Sequence, residues 1–401
     1  MGAKPPSSFH AQGTADMSKG QKIRVGIIGA NPDKGWGSSV HIPAIQMVPD
    51  YELVAVCTTR TETAEASAKA FGARLAFTNA AELAQHPEVD VVTVCVKAPD
   101  HHAAALPALQ AGKHVVCEWP LAANTAQADE MLALATQNRL HTAVGLQARM
   151  APPLAYLRDL LAQGYVGRVV AAHMVCNLPG GGARRSREGL YVIHKENGAT
   201  TLSIQGGHAI DAFRYCLGEF ADVSAVVENM YPTITVIETG EEMAKSAPDQ
   251  ALVSGRLKSG AVAAIHINGG VVAGHGVSLT VYGENGTLSV VGQSPYNFQM
   301  ANLTLWGAQK PERTLAPLPI PATYERVKIP ADFKGRPPYP GVEIPRATVQ
   351  NVAGLYAAFA QTLRSGQGSA PDFATGRSLH RLLDKLEYAA ETGQRQALEN
   401  S

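Results

Sequence analysis

The chain has 401 residues, enough for two domains that each bury a core of their own. It is 45% hydrophobic and 17% charged, and its 34 basic residues cancel its 34 acidic ones, so no overall field draws it to nucleic acid or to an anionic membrane surface. No apolar run approaches the roughly 18 to 20 residues that span a bilayer. Residues 1–20 are polar, lack the apolar centre of a secretory signal and read as a flexible leader, with a second start available at Met17.

From residue 21 short β-branched runs alternate with helical stretches. KIRVGIIGA reads as a strand and SSVHIPAIQMV as the helix after it, then YELVAVCTT as a strand and TAEASAKAFG as a helix stopped by Gly72. VDVVTVCV, HHAAALPALQAG, KHVVCEW, TAQADEMLALATQN and LHTAVGLQ continue the alternation, with Thr125 as a plausible helix cap. This predicts βαβ units in a parallel sheet with helices on both faces, a Rossmann-type doubly wound α/β domain over 21–147. The strands are apolar throughout, as parallel strands buried on both sides must be. From 148 to 401 the pattern predicts an α+β domain with a large, mostly antiparallel open sheet. VVAAHMVCNL, ADVSAVVEN, QALVSGRLKSG, AVAAIHINGG, VSLTVYGENG and TLSVVG follow one another with tight turns such as Glu284-Asn285-Gly286, and one helix falls near 199–217. Residues 293–345 are proline-rich and aperiodic, which predicts a long irregular loop. Two amphipathic helices, about 347–365 and 373–393, close the chain.

The five cysteines (Cys57, Cys95, Cys117, Cys176, Cys216) contain no C-x-x-C pair. The first three lie in apolar strand-like runs and read as buried free thiols, which implies a reducing cytoplasm. Thirteen histidines give no metal pattern: His101 and His102 are adjacent and cannot face one ion from a regular element, and His114 lacks a nearby partner.

The first strand runs into G-A-N-P-D-K-G-W-G ahead of a helix. A dinucleotide loop needs glycine for a tight turn and close backbone approach, with a helix N-terminus beyond it to face the pyrophosphate. Gly29 takes the place of the first glycine and Asn31 that of the second. The loop then runs on past Lys34 to Gly35, Trp36 and Gly37. A ligand-free glycine turn would use the same residues. The second strand ends Cys57-Thr58-Thr59-Arg60, without the carboxylate that grips the ribose hydroxyls of NAD. Hydroxyls and a guanidinium suit a 2′-phosphate, so NADP is expected in preference to NAD, unless Arg60 is merely solvated.

VGIIGA, HIPAI at 41–45, ALQAGKHVVCEWPLA at 108–122, GGHAIDAFRYCLG at 206–218 and the closing SLHRLLDKLEYAAETG together resemble the glucose–fructose oxidoreductase, inositol dehydrogenase and rhizopine-catabolism (Gfo/Idh/MocA) family. The resemblance covers the chain after residue 21. Within the family it resembles still more closely a subgroup that includes the fungal galactose-pathway repressor, a non-catalytic dinucleotide binder. Lys34-Gly35-Trp36, Val96-Lys97-x-Pro99-x-His101, Glu118-Trp119, Leu146-Gln147-x-Arg149, Asn197-Gly198 and Gly207-His208-x-x-Asp211 carry that likeness. It implies a dinucleotide held by these loops, a small-molecule substrate such as a sugar or polyol, and a homodimer or homotetramer packed through the open sheet. Active members carry Glu-Lys-Pro and an aspartate four residues before the histidine; Trp119 and Ile204 stand at those two positions here.

The remaining acid/base candidates are Lys97 and His208. Lys97 follows an apolar strand at the edge where ligands bind, and desolvation there would make its amine a usable proton acceptor; alternatively it snorkels to solvent or touches the cofactor's ribose. His208 reads as an acid/base group at the start of a helix, with Asp211 lining a substrate pocket; alternatively His208 caps the helix and Asp211 pairs with Arg214. Tyr191 and His194 are placed to bond polyol hydroxyls, and Arg149 and Trp119 to line the substrate site, with Trp119 an aromatic face narrowing it beside the nicotinamide. Arg184, Arg185 and Arg187, after three glycines, read as a mobile basic loop, solvated or clamping a substrate acid. Three functions fit: an NAD(P)-dependent oxidoreductase acting on sugar, cyclitol or polyol; a redox-inert dinucleotide-binding regulator; and cofactor-assisted glycoside cleavage or elimination without net redox change.

Overall fold

The computed structural model describes residues 20–274, 276–293, 295–338 and 343–398. The expected leader therefore lies, but for Gly20, outside the described residues. Among the described residues no helix is long and apolar enough to cross a membrane.

The first β-branched runs form β1 (Ile23–Ile28), β2 (Tyr51–Cys57), β3 (Leu75–Phe77), β4 (Val91–Val94), β5 (His114–Cys117) and β6 (Thr142–Val144). They pair in parallel in the order β3-β2-β1-β4-β5-β6. The connections are α1 (Ile42–Met47), α2 (Thr61–Phe71), α3 (Ala80–Gln85), α4 (His101–Gln110) and α5 (Thr125–Gln137). The order reverses between β1 and β4, which opens a crevice at the carboxyl ends of those strands. Asn124, rather than Thr125, caps α5 by accepting from the Gln127 amide.

After α6 (Pro152–Ala162) the chain lays down β7 (Val169–Leu178), β8 (Arg184–Arg185), α7 (Gly207–Leu217), β9 (Phe220–Glu228), β10 (Thr233–Val236), β11 (Glu242–Ala244), β12 (Gln250–Leu257), β13 (Val262–Gly269), β14 (Val277–Gly283), β15 (Gly286–Gly292), β16 (Leu303–Gln309) and β17 (Ala316–Pro317). Then come α8 (Arg346–Ser365), α9 (Phe373–Thr392) and β18 (Gln396–Ala397). Nine of these strands form one open sheet, β17-β16-β15-β14-β7-β13-β12-β9-β18, in which only β7 and β13 run parallel. Its inner face packs on α6 and α9, and Phe213 of α7 stacks on Phe220 with ring centroids 5.5 Å apart. The other face is bare: Val226, Leu252 and Val262 are each 50–55% exposed.

Two sequence expectations need correction here, and a third is refined. The stretch 293–345 is not wholly irregular, because LTLWGAQ alternates well enough to form β16 against β15. Arg184 and Arg185 are not on a mobile loop but form β8, paired with β10 in a small sheet over a core of Ile193, Ile234 and Val236. The helix expected near 199–217 is composite, a π-helical turn over Thr201–Gly206 running directly into α7. All five cysteines are buried and free.

Helix α8 follows the second sheet in the chain but covers the first: Val349, Val352, Tyr356 and Phe359 pack into one core with Ile23, Val25 and Ile27 of β1. This packing brings Tyr356 beneath the crevice.

Candidate functional site

Gly29 ends β1 with φ +96°, its amide donating to the Cys57 carbonyl at 3.0 Å. A Cβ there would lie 2.5 Å from the Cys95 carbonyl oxygen, and one on Gly37 would lie 2.8 Å from the Gly29 oxygen, so both glycines are required for the loop to pass. Asn31 turns the loop by accepting from the Asp33 amide at 2.9 Å. The helical segment opens as a π-helical turn, Gly37–His41, with no side chain capping its N-terminus. The Ser39 amide is tied to the Gly35 carbonyl at 3.1 Å, whereas the buried Trp36 Nε1 and Ser39 Oγ have no partner and fit a bound pyrophosphate. At the end of β2, Thr58 bonds the Arg60 carbonyl and Thr63, and Arg60 is exposed with its guanidinium unpaired among the described residues.

The loop is also held from far along the chain. The Pro338 carbonyl accepts from the Gly35 amide at 2.8 Å, and Arg336 donates to the Pro32 carbonyl. Lys34 pairs with Glu188 in the 3₁₀ turn Arg187–Val192. Tyr191 of that same turn lies under Lys97, with the ammonium 5.2 Å from its ring centre. Lys97 itself is exposed. The expected desolvation of Lys97 therefore does not occur; the strand ends at Val94, three residues earlier, and the lysine stands at the rim.

Beneath the rim a buried polar chain begins at Glu118. Its Oε1 accepts from His41 Nε2 at 2.8 Å, His41 Nδ1 meets the Tyr356 hydroxyl at 2.8 Å, and Tyr356 meets Thr93 Oγ1 at 3.0 Å. Because the carboxylate only accepts, His41 carries a proton on Nε2. Gly145 makes room for the carboxylate, since a Cβ there would lie 2.5 Å from Glu118 Oε1. Burial holds the Tyr356 hydroxyl well above the ordinary phenol range.

Trp119 is only 4% exposed. Its Nε1 donates to the Ser203 carbonyl at 2.8 Å, its ring lies 4.8 Å from that of His380, and a Cβ on Gly207 would collide with it at 2.3 Å. It is thus wedged between β5 and α7 and does not present an open aromatic face, because its N–H finds a carbonyl on the far side of the crevice. His101 is likewise turned inward: Nδ1 contacts the Pro120 carbonyl at 2.6 Å and Nε2 the Val96 carbonyl at 3.1 Å, which pins the loops after β4 and β5 together. Burial lowers its pKa, against the opposing pull of the two carbonyls. Pro99 is half-buried in the turn between those pins.

His208 lies within the continuous helix from Thr201 and so caps nothing. It is 4% exposed, and its Nδ1 has no hydrogen-bond partner. Burial pushes its pKa down to about 4, against the opposing pull of Glu118 and Asp211. Asp211 pairs neither with a substrate pocket nor with Arg214: Arg149 donates to it from Nε at 2.8 Å and from Nη2 at 2.6 Å, and Arg214 binds Glu219 instead. Gln147, fully buried in the turn after β6, has both amide atoms unpartnered. His194 is 42% exposed beside Glu196, and Asn197 donates to the Tyr191 carbonyl. Gly198, at φ +65°, passes so close to Ala123 that a Cβ would lie 1.9 Å from its carbonyl oxygen. Sequence reasoning missed His41, Thr93 and Tyr356; His41 stood in the HIPAI motif without a role, and Tyr356 lies 315 residues away from it.

A model of the oxidoreductase family with an NAD-binding Rossmann fold matches residues 23–146, and one of the Gal80p C-terminal domain matches 152–292. The dehydrogenase aclE of Aspergillus oryzae is 31% identical over 256 residues, 60% of this chain and 68% of that protein. The chain belongs to the Gfo/Idh/MocA family. Within the family it is similar to the galactose/lactose metabolism regulatory protein GAL80 of Saccharomyces cerevisiae, at 26% identity over 71% of this chain and 70% of GAL80. Its fold is that of a Gal80p super-repressor mutant from that yeast, with a TM-score of 0.80, 21% identity and 94% and 97% of the two chains covered. It is equally that of levoglucosan dehydrogenase in complex with NADH and levoglucosan, with a TM-score of 0.78, 19% identity and 95% and 100% covered. Family membership therefore includes both dehydrogenases and a regulator.

Proposed function

We propose that the protein is an NAD(P)-dependent oxidoreductase that moves a hydride between a nicotinamide and a CH–OH or carbonyl group of a sugar, cyclitol or related polyol. In this reading residues 21–147 hold the dinucleotide and residues 148–401 supply the substrate site and, through the bare sheet face, a homodimer or homotetramer contact. One observation carries the reading: His208 keeps an unpartnered, neutral imidazole nitrogen inside the crevice, where lost packing alone would have favoured a closed hydrogen bond.

The bound nicotinamide would supply the hydride chemistry. His208 Nδ1 takes the hydroxyl proton in oxidation and returns it in reduction. Lys97, braced over Tyr191, lends positive charge at the rim where an alkoxide develops. Glu118, fixed by His41 and Tyr356, and Gln147 orient the cofactor from below. Thr58 and Arg60 favour NADP over NAD. Trp119 and Ile204, at the positions of the family's lysine and aspartate, keep a second reading alive: a dinucleotide-binding regulator without turnover.

Steady-state oxidation or reduction of a panel of sugars, cyclitols and dicarbonyls with NADP(H) and NAD(H) separates the two. His208→Ala and Lys97→Met should each lower kcat on the order of a hundredfold with nucleotide affinity held within a few-fold. Arg60→Ala should weaken NADPH binding, read by nucleotide fluorescence, much more than NADH binding. Absence of turnover across the panel despite tight NADPH binding would favour the regulator.

A further inference from the structure

Away from the crevice, on the helical side of the large sheet, α7, α9, β9 and β18 enclose a cavity of about 580 Å³. We propose that this cavity is a second ligand site, for a small organic anion with an apolar body. The inference is independent of whether the dinucleotide site is catalytic, because none of the residues that line the cavity belongs to that site.

Charge decides the sign of the ligand. Four cationic side chains, Arg214, Lys258, Arg381 and Lys385, line the cavity against two acidic ones, Glu219 and Asp384. Both acids are engaged. Glu219 accepts from Arg214 at 2.7 and 2.8 Å, and Asp384 accepts from the Thr125 hydroxyl at 2.5 Å. Arg214, Arg381 and Lys385 are less committed. Arg214 is 7% exposed, yet its Nη1 has no partner. Arg381 reaches Asp129 only at 3.3 Å and is 50% exposed, and Lys385 makes no ion pair among the described residues. The carboxyl end of α7 contributes a partial negative charge of about half a unit, too little to reverse a surplus of two.

The floor decides the rest. Phe220 and Leu382 are buried apolar side chains, and Leu398 and the half-exposed Tyr388 extend that surface. A bare inorganic ion would leave this surface wet, whereas a carboxylate on an aromatic or alicyclic ring covers it and places its oxygens on the guanidinium and ammonium groups. Arg214 stands six residues after His208 on α7, so the two sites lie on one rigid helix, less than two turns apart along it.

Fluorescence titration of the full chain with 1-naphthoate tests the proposal. One saturable site is expected, weakened about tenfold or more in the Arg381→Glu/Lys385→Glu variant, whose exposed positions leave the melting temperature unchanged. The uncharged 1-naphthylmethanol should bind about tenfold more weakly than the acid. Undiminished binding in the double variant, equal binding of the alcohol, or displacement of naphthoate by NADPH would each overturn the site. Inorganic phosphate competing as well as naphthoate would overturn the apolar-body assignment.

Discussion

Among the ion pairs that join loops of the parallel sheet to the second half of the chain, two differ in what sets an ion pair's worth. Arg149 and Asp211 meet through two forked bonds with side chains 18% and 0% exposed. Lys34 and Glu188 meet at the mouth, with side chains 51% and 38% exposed. The first is a fixed pin between the turn after β6 and α7; the second is a latch that solvent screens. The crevice is therefore rigid at its base and loosely tied at its entrance, where a dinucleotide must pass.

Arg149→Met tests the pin. It strands a buried carboxylate and should cost about 3–5 kcal/mol in urea unfolding, and adding Asp211→Leu should recover a large part of that loss. A cost below about 1 kcal/mol would put the pin on a par with the latch.

The buried imidazoles give the next effect. His114, His208 and His380 are each pushed from 6.5 to about 4 by burial. Between those values the unfolded chain binds more protons than the folded one, so stability is level above about pH 6.5 and falls as pH drops towards 4. Urea titrations at stepped pH should show these three imidazoles taking up about three protons on unfolding near pH 5, with His101 adding to the total, and His208→Gln should remove about one. A flat profile would mean that the imidazole at the base of the crevice is open to water.

Trp119 crosses the same gap with a neutral hydrogen bond, and sits between the two pairs in strength. Trp119→Phe should cost about 1–2 kcal/mol by leaving the Ser203 carbonyl unsatisfied, measured against the same urea reference. Smallest of all, Lys34→Ala should change stability by less than about 1 kcal/mol while altering the salt dependence of NADPH association.

The alternation of β-branched and helical runs and the turn at Glu284-Asn285-Gly286 were legible because each is local: a period or a turn residue declares itself within ten positions. So was the position of Gly29, whose backbone only glycine tolerates. Partners were not legible. Asp211 has an arginine three residues away on its own helix yet pairs with Arg149, because helix geometry points it at the turn after β6. Lys97 looked like a strand end and is a rim residue, since three residues of loop suffice to reach solvent. The Glu118–His41–Tyr356–Thr93 chain joins four separate elements, and no spacing rule connects them.

Placement of α8 has a consequence for how the protein is made. The helix that seals the first sheet is synthesised after the second sheet, so the Rossmann half cannot finish folding as it leaves the ribosome. Until residue 356 emerges, His41 and Thr93 lack the hydroxyl they share, and Tyr51 lacks the carbonyl to which it donates at 2.9 Å. A nascent chain halted after residue 147 would hold the strands and the glycine loop but an open apolar face. That face is the kind of exposed apolar surface that chaperones cover on partly folded chains.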